Sequence, residues 1–181
     1  MSSFLGDRVV VMRGDITSLD VEMIVNAANG ALSGGGGVDG AIHPAAGPHL
    51  LEECRRLGSA RPGEVRLTAG HALKARFIAH AVAPVWSGGG NDEETILARC
   101  YVGALELARE QGAKTIAFPS ISTGAYKFPL ERAAAIALSS TSDFLRAAAT
   151  PASVTFCCFS EADVIRYERI ATRLFEASAA R

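Results

Sequence analysis

The feature that most limits how this chain can fold is the alternation of short, continuously apolar runs with longer stretches of helical period. Six runs read as strands: Arg8–Arg13, Met23–Asn26, Val65–Ala69, Phe77–Val82, Thr115–Pro119 and Val154–Phe159. They are rich in Val, Ile and Phe, and several lack polar alternation, as strands covered on both faces do. Three helices are well marked between and after them. Asn91 and Glu94 have capping-box spacing, and Ile96, Cys100, Gly103, Ala104 and Leu107 then recur at three and four, up to a stop at Gly112. Pro129 suits a first turn, followed by Leu130, Ala134, Ala137, Leu138, Thr141 and Leu145 on one face. Ser160 suits an N-cap, with Val164, Tyr167, Ala171 and Leu174 as the inward stripe. A further helix-like run follows the glycines at 34–37. This alternation predicts an α/β sandwich with helices on both faces of a largely parallel sheet. At 181 residues the chain is expected to form one domain, 1–181.

In such folds ligands bind beyond the carboxyl ends of the strands, so the chemistry is sought in the loops that follow them. Charge narrows the ligand. Eighteen Lys and Arg against nineteen Asp and Glu leave a formal charge of −1, which gives no chain-wide footprint for nucleic acid. No apolar stretch approaches the ~20 residues of a membrane span, and the opening MSSFLGDR lacks a secretory plan, so a cytoplasmic location is expected. Cys54, Cys100, Cys157 and Cys158 form no C-x-x-C pair, and adjacent Cys157 and Cys158 would face opposite sides of a strand. Buried reduced thiols are expected, with neither zinc nor disulfides.

Four segments carry chemistry-bearing residues. Gly14-Asp15-Ile16-Thr17 directly follows the first strand; its Asp suits a cap as well as a ligand. Val25-Asn26-Ala27-Ala28-Asn29 carries two amides that suit a turn or a grip on sugar hydroxyls. Gly34 to Gly37, then Val38-Asp39-Gly40-Ala41-Ile42-His43, exposes bare backbone N–H groups at a helix start, as a phosphate cradle does. Gly35, Gly37 and Gly40 match G-x-G-x-x-G, but too far past the strand for a dinucleotide fold, and no Lys-Ser/Thr follows as in a P-loop. An acid inside the motif, Asp39, suits water activation beside a phosphate. The last segment, Pro119-Ser120-Ile121-Ser122-Thr123-Gly124-Ala125-Tyr126-Lys127-Phe128-Pro129, is a second anion-friendly turn, in which Phe128 is equally suited to anchoring the loop.

In this order and spacing, the four segments resemble a macro domain of the MacroD-type branch, close to the bacterial O-acetyl-ADP-ribose deacetylases, over roughly residues 7–175. The resemblance implies a three-layer α/β/α sandwich with a mostly parallel, mixed central sheet and a pocket for ADP-ribose. Asp15 would hold the adenine amino group, with the Ile16 amide at the ring and Phe159 packed on adenine or in the core. Asn29, supported by Asn26, would bind the distal ribose. Gly36, Gly37 and Val38 would line that ribose and the diphosphate. Ser122, Thr123, Gly124, Ala125 and Tyr126 would cradle the diphosphate from the other side. Asp39 would be the catalytic aspartate, with Asn29, His43 and Gly124 completing the catalytic set. Pro44 stands where the branch usually has Arg, and Lys127 where it commonly has Gly. His49, His71 and His80 match no motif.

The reaction implied is hydrolysis of an ester at the distal ribose, either acetyl or the link to an Asp or Glu of a mono-ADP-ribosylated protein, without cofactor or metal. Water activated by Asp39 would attack directly, at the acyl or the ribose carbon. The rival reading is a non-catalytic ADP-ribose reader, which would need Asp15, Asn29 and both loops but not Asp39. RNA association is a weaker third reading, opposed by the balanced charge. No membrane partner is expected.

Overall fold

The computed structural model describes residues 1–179, with side chains to Phe175. Among the described residues, seven strands form one sheet: β1 (Ser2–Phe4), β2 (Val9–Arg13), β3 (Met23–Ala28), β4 (Val65–Ala69), β5 (Phe77–Val82), β6 (Thr115–Phe118) and β7 (Ser153–Cys158). Their order is β1-β2-β7-β6-β3-β5-β4. The five central strands are parallel, and the edge strands β1 and β4 pair antiparallel. Five α-helices cover it: α1 (Gly37–Ala46), α2 (Pro48–Leu57), α3 (Glu93–Glu110), α4 (Leu130–Ala147) and α5 (Glu161–Ala179). The expected α/β sandwich is therefore present. None of the helices is long and apolar enough to cross a membrane, among the described residues.

The period of two divides the core. Val9, Val11, Met23, Val25, Ala79, Ala81, Ile116, Phe118, Val154 and Phe156 face α3, α4 and α5. Ile24, Ala28, Ile78, Val82 and Ala117 face the shorter pair α1 and α2. Cys157 joins the second cluster and Cys158 the first, so the adjacent thiols do point to opposite faces. Alanines at 133, 134 and 137 are fully buried on α4, and their small size lets the helix lie close against the sheet. Ser160 Oγ accepts from the Asp163 N–H at 3.1 Å, the expected cap of α5.

Several local expectations need correction. β1 was not expected; three residues carry too little pattern to read. The Asn91–Glu94 capping box does not form. The cap is Asp92 in the left-handed region, and it is Glu93 that is buried. The Glu93 carboxylate accepts from the N–H of Ser87, Gly89 and Asn91 and from the Ser87 hydroxyl. Those bonds, the Ser87 hydroxyl first, pull its pKa down to about 2. The buried face of α3 is also turned by about a residue. Leu97, Tyr101, Ala104, Leu105 and Ala108 lie at its centre, while Ile96, Gly103 and Leu107 flank it.

Candidate functional site

Because β2, β7, β6, β3 and β5 run parallel, the loops that follow them emerge at one end of the sheet. From neighbouring β3 and β6 the chain leaves for opposite faces, to α1 on one and α4 on the other. Strand ends that diverge in this way open a crevice between their loops.

The β3 loop brings the glycine run to this crevice. Asn29 Nδ2 donates to the Gly34 carbonyl at 2.8 Å, and its Oδ1 accepts from the Ser33 N–H at 3.3 Å, so the side chain staples the loop. Gly36 is the N-cap of α1 and no side chain caps it, which leaves the N–H groups of the first turn open. Their positive end of the helix dipole favours an anion. Gly37 has φ +59°, which glycine adopts without strain. Gly40 has no room for a side chain, since a Cβ there would lie 2.7 Å from the Gly35 carbonyl oxygen.

Asp39 sits in that first turn and is 4% exposed. Its Oδ1 accepts from Asn26 Nδ2 at 2.7 Å, while Oδ2 lies beside Gly35, where a Cβ would be 3.2 Å away. His43, one turn on, brings Nε2 to 3.3 Å from the same Oδ1, without hydrogen-bond geometry. Asn26 itself is fully buried. It lies behind Asp39 and not on an open surface.

The β6 loop is held from within. Ser122 is buried, and its hydroxyl donates to the Pro84 carbonyl at 3.0 Å. Thr123 Oγ1 donates to the Ser120 carbonyl at 2.9 Å. Both hydroxyls thus build the turn, and the backbone N–H groups of Thr123, Gly124 and Ala125 have no partner among the described residues. A Cβ on Gly124 would meet nothing within 4 Å. Phe128 is an anchor: it is 2% exposed and its ring centre lies 4.6 Å from that of Trp86. The Trp86 N–H donates to the Tyr126 carbonyl at 2.9 Å, which ties the β5 and β6 loops together.

Further along the same end, Arg13 of β2 and Cys158 of β7 are register partners. The residues that follow put Asp15 and Phe159 on neighbouring segments. Asp15 Oδ1 caps the 3-10 turn Ile16–Ser18, accepting from the Thr17 N–H at 2.9 Å. The Ile16 side chain is buried. Phe159 is 91% exposed, so it does not pack in the core. An uncovered aromatic face beside an acceptor suits a flat heterocycle carrying an amino group.

Sequence reasoning missed one participant. His80, on β5, is the register partner of Asn26. Its Nδ1 lies 3.1 Å from Asn26 Nδ2 and its Nε2 lies 2.9 Å from Thr68 Oγ1 on β4. Burial, with His43 adding to it, pushes the His80 pKa down to about 4, so the ring is neutral at pH 7. Its one signal was a polar residue within the apolar run Phe77–Val82. Cys54 lies nearby with Sγ 3.9 Å from His80 Nε2, its thiol pushed up to about 11 by burial and then by Asp39.

Residues 25–137 match the family model described as Macro domain. A macro domain-containing protein of Methanosarcina mazei is 54% identical over 155 residues, covering 86% of this chain and 83% of that one. The O-acetyl-ADP-ribose deacetylase of Escherichia fergusonii is 46% identical over 170 residues, covering 92% and 96%. The Oceanobacillus iheyensis macrodomain with ADP superposes with a TM-score of 0.89 at 44% identity, covering 92% of this chain and 91% of that one. A chain with this sheet order, two glycine-bearing loops at its carboxyl end and relatives this similar belongs to the macro domain family.

Proposed function

We propose that this chain binds ADP-ribose along the carboxyl end of its sheet and hydrolyses ester-linked groups at the distal ribose. Adenine would lie against Phe159, with its amino group on Asp15 and the Ile16 amide nearby. The diphosphate would lie between the first turn of α1 and the N–H groups of Thr123, Gly124 and Ala125, with Ser122 and Tyr126 shaping that turn. The distal ribose would reach Asn29, Gly36, Gly37 and Val38. Relatives support the ligand: the Oceanobacillus iheyensis macrodomain is solved with ADP, and a glycine variant of it with ADPR. Other variants of that protein change an asparagine and an aspartate. The three positions are seven and three apart, the spacing of Asn29, Gly36 and Asp39.

The observation that carries hydrolysis is Asp39. A reader of ADP-ribose needs donors for phosphate, and a carboxylate beside that cradle opposes the anion it holds. A base for water gives this acid a purpose. With Asn26 on Oδ1, Oδ2 is the oxygen left to take a proton. Water adds to the acyl carbon or the ribose carbon, the ester C–O bond breaks, and the products are the carboxylic acid and ADP-ribose. Donors from the two loops stabilise developing negative charge, each worth ~3 kcal/mol when well placed. His43 and Gly124 act here through position, one beside the Asp39 carboxylate and one in the open turn. Deacetylase-named relatives at 46% and 44% identity support the ester class.

The test is product analysis over a panel of O-acetyl-ADP-ribose and acid-, serine- and arginine-linked ADP-ribosyl proteins. Release of ADP-ribose from the esters alone is expected. Tight ADP-ribose binding without turnover of any substrate would make the chain a reader.

A further inference from the structure

Resting on the hydrolase reading, we propose that His80 is a positioning residue: its neutral ring, protonated on Nε2, holds Asn26 as a double donor and so fixes the rotation of the Asp39 carboxylate. The argument begins with what an amide nitrogen can do. Asn26 Nδ2 lies 2.7 Å from Asp39 Oδ1 and 3.1 Å from His80 Nδ1. It carries two hydrogens and no acceptor site, so both contacts are donations and Nδ1 must accept. The proton of the neutral ring is then on Nε2, aimed at Thr68 Oγ1 at 2.9 Å.

The other arrangement is disfavoured by the same atoms. Asn26 Oδ1 is buried without a partner. Turning the amide over would satisfy it with an Nδ1–H of the ring, but would set a carbonyl oxygen against the Asp39 carboxylate. The ring tautomer and the donor on Asp39 are therefore linked. His80 reaches Asn26 as its register partner, and Thr68 on the edge strand holds the far nitrogen, so three adjacent strands carry the chain of bonds. Burial keeps the ring uncharged, and protonation of Nδ1 would remove the acceptor. Without the Asn26 donor, Asp39 Oδ1 is free to turn toward His43, 3.3 Å away, and Oδ2 leaves its place beside Gly35.

Nitrogen-15 NMR of the histidine-labelled chain at pH 7 reads the tautomer and needs no variant. His80 is expected as Nε2–H; an Nδ1–H ring overturns the proposal. Two substitutions separate positioning from packing. His80→Asn sets a carbonyl acceptor where Nδ1 stood, whereas His80→Gln reaches only the Nε2 position. A kcat within about threefold of native is expected for His80→Asn, and a loss of about ten- to a hundredfold in kcat with unchanged KM for His80→Gln. ADP-ribose affinity by calorimetry should match native in both. Equal kcat losses that track the melting temperatures would make His80 a packing residue, and native kcat in both would also overturn the proposal. Should the native chain hydrolyse no ester, the hydrolase reading fails instead. The Asp39 carboxyl carbon-13 shift then decides the positioning claim: it should move in His80→Gln and stay in His80→Asn, and any other pattern contradicts it.

Discussion

On one side of the sheet, α3, α4 and α5 cover a layer that includes Tyr101, Phe118, Phe156 and Tyr167, rings packed with centres 5.1–6.4 Å apart. On the other, the ten-residue helices α1 and α2 cover Ile24, Ile78 and Leu50 together with Asn26, Asp39, His80 and Thr68. The first layer is mainly apolar packing, the arrangement that stabilises most per residue buried. The second gives up part of that packing to a buried line of hydrogen bonds, which fixes geometry and adds less net stability. The proposed chemistry lies on the second side, where a carboxylate needs to be held and not merely buried.

The largest expected effect is on the side with three helices. Phe156→Ala should lower unfolding free energy by ~3–5 kcal/mol in urea titrations, with ADP-ribose affinity of the folded protein little changed. Loss of affinity without loss of stability would break the division between the faces.

The second concerns pH. His80 has its folded pKa lowered from 6.5 to about 4, so between these values the unfolded chain binds a proton that the folded chain refuses. Asn26, Thr68, Cys54 and His43 surround the ring, and Asp39 is one bond further. Stability from this group is full above pH 6.5 and falls by on the order of 3 kcal/mol as pH drops to 4. Glu93 on α3 acts in a lower window: its contribution is present above 4.5 and is lost as pH falls toward 2. Urea titrations at pH 7 and 4.5 should show a smaller drop in His80→Asn than in the native chain; equal drops would remove His80 from the account.

Much of the fold was legible because period and burial agree. Six of the seven strands and three helices follow from runs such as Val9–Met12 and stripes such as Ala134–Leu138. The misreadings share one cause: local spacing does not report what lies opposite. Asn91 and Glu94 have the right separation, but the carboxylate that the 87–91 loop needs is Glu93, and Glu94 instead pairs with Arg132. The site motifs were legible because they are local strings, Asn26–Asn29 and Gly34–His43. His80 was not, since it joins Asn26 only through pairing between β3 and β5, 54 positions apart in sequence. Phe159 could be read either way, because a phenylalanine after a strand does not say whether anything covers it.

Smaller effects sharpen the contrast. Asp15→Ala should weaken ADP-ribose by ~1.5–3 kcal/mol in calorimetry, as loss of a hydrogen bond to a charged group does. Unaltered affinity would move adenine away from the Asp15 and Phe159 pair. Ser160→Ala removes the α5 cap and should cost ~1 kcal/mol of stability, seen as a lower melting temperature, with turnover unchanged.

The central claim is that Asp39 activates water and does not grip the ligand. Single-turnover hydrolysis of O-acetyl-ADP-ribose by Asp39→Ala, with calorimetry of ADP-ribose on the same preparation, tests it most directly. The account predicts a rate lower by ~10²–10⁴ with affinity equal to native or slightly tighter, since a carboxylate next to the phosphate cradle has been removed. An unchanged rate, or rate and affinity lost together, would contradict it.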